Sequence, residues 1–148
     1  ARSKTYGATL TLGTSAFTTD GLVNGDTVTD VTLTSAGAAD TATVGSYDVT
    51  PSVAIGSGLT NYAISYVTGT LTVGAKALTI TADARSKTYG ATLTLGTTAF
   101  TTDGLVNGDT VTDVTLTSAG AADTATVGSY DVTPSTAIGS GLTNYAIS

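Results

Sequence analysis

Tyr66–Asp83 reads YVTGTLTVGAKALTITAD, and its side chains alternate in character. Leu71 and Val73 fall on one face while Thr70 and Thr72 fall on the other. Leu78 and Ile80 repeat the pattern against Thr79 and Thr81. Successive side chains of an extended strand point to opposite faces, so a period of two marks a half-buried strand. The stretch therefore reads as a closing strand, Tyr66–Val73, a short joint, Gly74–Lys76, and an opening strand, Ala77–Asp83.

Outward from this stretch, the chain says the same thing twice. Ala1–Ser65 reads ARSKTYGATLTLGTSAFTTDGLVNGDTVTDVTLTSAGAADTATVGSYDVTPSVAIGSGLTNYAIS. Ala84–Ser148 repeats it with two exchanges, Ser15 for Thr98 and Val53 for Thr136. From Ala1 to Ala84 the period is 83 residues, and self-similarity at a fixed period marks a tandem array. The first module is expected at residues 1–73 without an opening strand, the joint at 74–76, and the second module at 77–148 without a closing strand. The ends cut across the repeat's own boundary, which reads as a stretch of a longer array.

Within each copy the alternation continues. Ala8, Leu10 and Leu12 share a face, as do Val31 and Leu33, Tyr47 and Val49, and Tyr62, Ile64 and Tyr66. Gly, Asn, Asp and Pro bound each run, and nothing shows a sustained 3.6-residue period. Two glycines limit Asp20–Thr27, the best helical candidate, to one turn. The expected fold class is all-β: tandem small sandwich modules of the Ig-like kind, with six or seven short strands per period. A β-grasp-like sheet is the alternative and needs a helix from Phe17–Thr27. The short joint predicts modules arranged end to end as a rod.

Composition narrows the chemistry. Apolar residues make up 41% of the chain and charged residues 11%, against roughly 25% charged in an average soluble domain. Thr, roughly a quarter of the residues, supplies the wettable face, and its β-branched side chain suits a strand. There is no Cys, His, Met, Trp, Glu or Gln. Thiol nucleophiles and His-activated serines are thereby excluded, as are the usual zinc and haem ligands. A net charge of −6 with five scattered basic residues argues against nucleic acid, and no apolar run reaches membrane-spanning length. The chain is expected not to be an enzyme, and no catalytic, cofactor or metal residue is assigned.

Four motifs stand out in the sequence. KTYG, at Lys4–Gly7 and Lys87–Gly90, reads either as a ligand-binding Tyr with a crosslinking Lys, or as a Tyr packed at a strand end beside a Gly of special φ. The second reading is preferred. An isopeptide bond would draw on lysines such as Lys76 and on Asn24 or Asn61. LVNGDTVTD, at Leu22–Asp30 and Leu105–Asp113, gathers acids around an Asn-Gly turn; calcium is the ion it would suit, although its spacing is not that of an EF-hand, and turn formation explains the same residues. GSYDVTP, at Gly45–Pro51 and Gly128–Pro134, reads as a turn and a strand that Pro closes or marks as an edge. GSGLTNYAIS, Gly56–Ser65, reads as a turn leading into a strand.

The ordered landmarks ALTITAD, KTYG, GLVNGDTV, VGSYDVTPS and NYAISYVTGTLTV together resemble the MBG-type repeat domains of bacterial surface proteins, in the variety marked by a Tyr-Gly pair. The resemblance covers essentially the whole 83-residue unit. It implies a mainly β module, repeated in large adhesins exported to the cell surface, and it carries no catalytic residues. The expected function is a structural stalk or spacer of an extracellular adhesin or surface fibre. The alternatives are a glycan- or protein-binding repeat and a self-assembling filament subunit. The expected partners are neighbouring repeats and like chains.

Overall fold

The computed structural model describes residues 1–148. They divide into two compact units, Ala1–Ala75 and Lys76–Ser148. Both are built from strands, with short 3-10 turns and no α-helix, so the all-β reading holds. Phe17–Thr27 contributes no helix.

The first unit contains β1 (Arg2–Thr5), β2 (Thr27–Thr34), β3 (Gly45–Ser57) and β4 (Gly69–Gly74). Their order in the sheet is β1-β4-β3-β2. β1 runs parallel to β4, with Arg2 opposite Leu71 and Lys4 opposite Val73. β3 pairs antiparallel with β4 through Gly45–Val49 and with β2 through Thr50–Ser57. Pro51 does not close this strand. It lies inside β3 opposite Leu33, just past the last β4 pair, Val49 with Gly69. Pro has no N–H to give to a ladder, and here it stands where the strand changes partners.

Several of the alternating runs bury their apolar face, whereas Ile64 and Tyr66, expected to share a face with Tyr62, are each 44% exposed. Leu12, Val49 and Leu71 form the core, with Leu10, Leu33, Ala38 and Tyr47 packed against them. Each such aliphatic side chain is worth roughly 1.5–3 kcal/mol on burial. Ala8–Leu12, however, is not a strand. It turns back at its start, where the Ala8 amide donates to the Thr5 carbonyl, and it docks through the Leu10 amide on the Ala38 carbonyl at 2.9 Å. The alternation there reflects inward-facing leucines on a loop bracketed by Gly7 and Gly13, both at positive φ.

The second unit contains β5 (Lys76–Ala82), β6 (Phe100–Asp103), β7 (Thr110–Thr117), β8 (Thr133–Ser140) and β9 (Tyr145–Ile147). β5 is central to its sheet, antiparallel to β6 and parallel to β9, while β7 and β8 form a separate antiparallel pair. Leu78, Ile80, Val114, Leu116 and Tyr145 are buried. β4 ends at Gly74 and β5 begins at Lys76, which leaves Ala75 alone where three joint residues were expected.

Candidate functional site

In the KTYG corner of the first unit the Tyr6 side chain is buried and Gly7 takes φ 82°. The Tyr6 amide extends the β1–β4 ladder by donating to the Gly74 carbonyl at 2.9 Å. The Lys4 ammonium donates to the carbonyls of Ala8 and Ala39. A lysine so engaged ties a loop to a strand end, and no Asn or Asp side chain accepts from it.

The VNGD segment of LVNGDTVTD is a tight turn. The Asp26 amide donates to the Val23 carbonyl at 3.0 Å, with Asn24 at φ 55° and Gly25 at φ 77°, and two left-handed central residues are the signature of a type I′ turn. Tyr62 holds this turn in place: its hydroxyl donates to Asp26 Oδ2 at 2.9 Å and accepts from the Val23 amide at 3.0 Å. The second unit reproduces the arrangement with Tyr145, Asp109 and Val106. Asp30 accepts from the Thr14 hydroxyl at 2.7 Å, and Asp113 from Thr97 at 2.8 Å. The acids proposed for calcium are thus engaged by hydroxyls from elsewhere in the module, and no group of three or more carboxylates that could hold a metal ion occurs.

The two copies differ in structure where their sequences agree. Gly45–Val49 is strand in the first unit, whereas its counterpart, Gly128–Val132, belongs to no strand. Tyr6 is 5% exposed and its counterpart Tyr89 is 65% exposed. Conversely, Phe17–Asp20 and Tyr62–Ile64 belong to no strand, while their counterparts β6 and β9 flank β5. Sequence cannot cause these differences, because the residues are the same. The cause is the neighbour: the first unit has a closing strand, β4, and the second an opening strand, β5. Each unit organises the part of the shared sequence that its own extra strand touches.

Each unit also carries an open groove. In the first unit the groove encloses about 780 Å³ and is lined by Phe17, Leu22, Val28, Leu33, Tyr62 and Ile64, among others. In the second it encloses about 310 Å³ beside Arg85, Tyr89, Leu93, Leu95 and Tyr130.

The sequence model of the MBG domain (YGX type) family matches residues 1–72 and 78–148. No curated protein and no solved structure matches the chain. The two matches bracket the β4–β5 junction and cover nearly all of both units. The chain belongs to the MBG domain (YGX type) family, with two successive copies of the domain.

Proposed function

We propose that these domains are structural spacers, repeated along the stalk of a bacterial extracellular adhesin or along a surface fibre. The observation that carries this reading is the junction: the strand that closes one module and the strand that opens the next are separated by Ala75 alone. A one-residue joint leaves little conformational freedom compared with a flexible linker of many residues, which favours a stiff, end-to-end array. The family's association with surface proteins supports an extracellular setting. The chain acts mechanically, and the absence of His, Cys and Glu from its sequence favours that over catalysis.

A complete module would combine the two sets of strands. One sheet would hold the counterparts of β1, β4, β3 and β2, and the other an opening strand between the counterparts of β6 and β9. Two sheets with alternating inward residues make a small sandwich of the Ig-like kind. Small-angle scattering on chains of two, four and six periods tests the spacer role. The expected maximum dimension rises linearly with copy number; growth as a compact globule would sink the reading. Self-assembly between chains is the second reading, favoured by the Thr-rich strands and low charge, since unpaired edges invite pairing with other chains.

A further inference from the structure

Of the asparagines in the chain, only Asn24 and Asn107 are followed by glycine. Glycine has no side chain to shield its amide nitrogen, so this dipeptide is open to a reaction of the backbone with itself. The Gly25 nitrogen gives up its proton and bonds to Asn24 Cγ, the Cγ–Nδ2 bond breaks, and ammonia leaves. The resulting succinimide takes up one water and opens at either carbonyl, giving aspartate or isoaspartate. Each event adds one negative charge, and isoaspartate also inserts a methylene into the main chain. Asn24 and Asn107 are both exposed, so water reaches both. We infer that Asn24 and Asn107 are sites of this self-modification, and that Tyr62 and Tyr145 are positioning residues that hold each site in an unreactive geometry.

Closing the succinimide ring needs the asparagine Cβ and the glycine nitrogen on the same side of the Cα–C bond. A type I′ turn gives its first central residue a ψ of about +30°, which places the two atoms nearly opposite each other. Asn24 at φ 55° and Asn107 at φ 57° occupy that position. The turns are closed by the Asp26 amide on the Val23 carbonyl and the Asp109 amide on the Val106 carbonyl, each at 3.0 Å. The reaction has to wait for the turn to open, so its rate is the intrinsic rate multiplied by the open fraction.

One tyrosine hydroxyl opposes that opening at both ends of the turn. The Tyr62 hydroxyl accepts from the Val23 amide at 3.0 Å and donates to Asp26 Oδ2 at 2.9 Å. Tyr145 holds Val106 and Asp109 at the same two distances. The Asp26 carboxylate also rests on Gly58, and that of Asp109 on Gly141, where a Cβ would collide with the carboxylate oxygens. An Asn-Gly pair forms a type I′ turn by its own backbone preference, so the tie adds to a turn that needs no tie to form. Its presence in both copies guards both reactive pairs. The inference stands apart from the spacer role, because the chemistry is read whether or not the modules set a length.

The test follows deamidation of the 148-residue chain at neutral pH by peptide mapping with mass spectrometry, and counts isoaspartate by enzymatic methylation. A synthetic peptide of residues 20–27, DGLVNGDT, gives the rate of an unheld Asn-Gly pair. The folded chain is expected to form product at Asn24 and Asn107 ahead of Asn61 and Asn144, at least about tenfold more slowly than the peptide. Tyr62→Phe removes the hydroxyl and keeps the ring. It is expected to speed the reaction at Asn24 about five- to tenfold, the worth of a hydrogen bond to a charged group, while Asn107 in the same molecule keeps its rate. Tyr145→Phe should do the reverse, which keeps the tie testable if either variant fails to fold. Native rates equal to the peptide's, unchanged rates at the tied asparagine in the variants, or product at Asn61 as abundant as at Asn24 would each overturn the inference.

Discussion

Gly56 lies where β3 presses against β2, and a Cβ there would sit 1.8 Å from the Thr27 carbonyl oxygen. Both clashing groups are backbone, so neither can swing aside. Gly56→Ala is therefore expected to cost the first unit about 3 kcal/mol, the upper end of the range for overpacking, as measured by urea denaturation; a loss under about 0.5 kcal/mol would contradict the packing described. Three residues earlier the chain breaks a rule of its own. Val53 takes φ 47° and its counterpart Thr136 takes φ 44°, a left-handed conformation that β-branched residues resist. The register explains the position, for Ser52 opposes Thr32 and Ala54 opposes Val31, which leaves Val53 as the extra residue of a bulge. Such strain costs on the order of 1–3 kcal/mol, and Gly in its place would forfeit about 0.5–1 kcal/mol of chain entropy. Val53→Gly is thus expected to stabilise the unit by roughly 1 kcal/mol, visible as a higher urea midpoint at unchanged slope.

At the scale of elements, whether a segment becomes a strand depends on what runs beside it. β3 is 13 residues long and β8 is 8, and the difference is the stretch that β4 covers in one copy and nothing covers in the other. Hydrogen-bonded amides in a ladder exchange only when it opens, so the copies should differ in amide exchange despite their common sequence. Gly45–Val49 should exchange much more slowly than Gly128–Val132, and Tyr145–Ser148 more slowly than Tyr62–Ser65, when followed residue by residue by NMR. Equal rates in the paired segments would show that neighbour strands are not the cause. The Tyr–Asp tie across the Asn-Gly turn is present in both copies. It involves neither extra strand, which is why it survives the absence of either.

For the molecule as a whole, the two units bury their shared residues unequally. A longer chain with Lys76–Asp83 repeated before Ala1 and Tyr66–Val73 repeated after Ser148 would give each unit both strands. Tyr89 should then become as protected as Tyr6, and fluorescence quenching by acrylamide would report the change. The denaturant slope should rise as well, because it scales with the surface exposed on unfolding. An unchanged slope and an exposed Tyr89 would mean that the modules do not close as described. The net charge of −6 is spread through a Thr-rich chain, which favours solubility in a long array.

From the residues alone came the tandem organisation, the all-β class, the main inward-facing residues and the exclusion of thiol and His chemistry. All of these rest on periodicity and composition, which are local properties of the chain. Leu71 with Val73, and Leu78 with Ile80, are buried as their alternation required. Pairing lay beyond that reach, because an alternating pattern says which face is apolar but not which strand lies alongside. Ala8–Leu12 alternates and finds no ladder, Pro51 sits within a strand that changes partners, and Tyr62–Ile64 waits where Tyr145–Ile147 pairs. Backbone hydrogen bonds in a sheet are made between distant segments, so one sequence takes two secondary structures according to the strand packed against it.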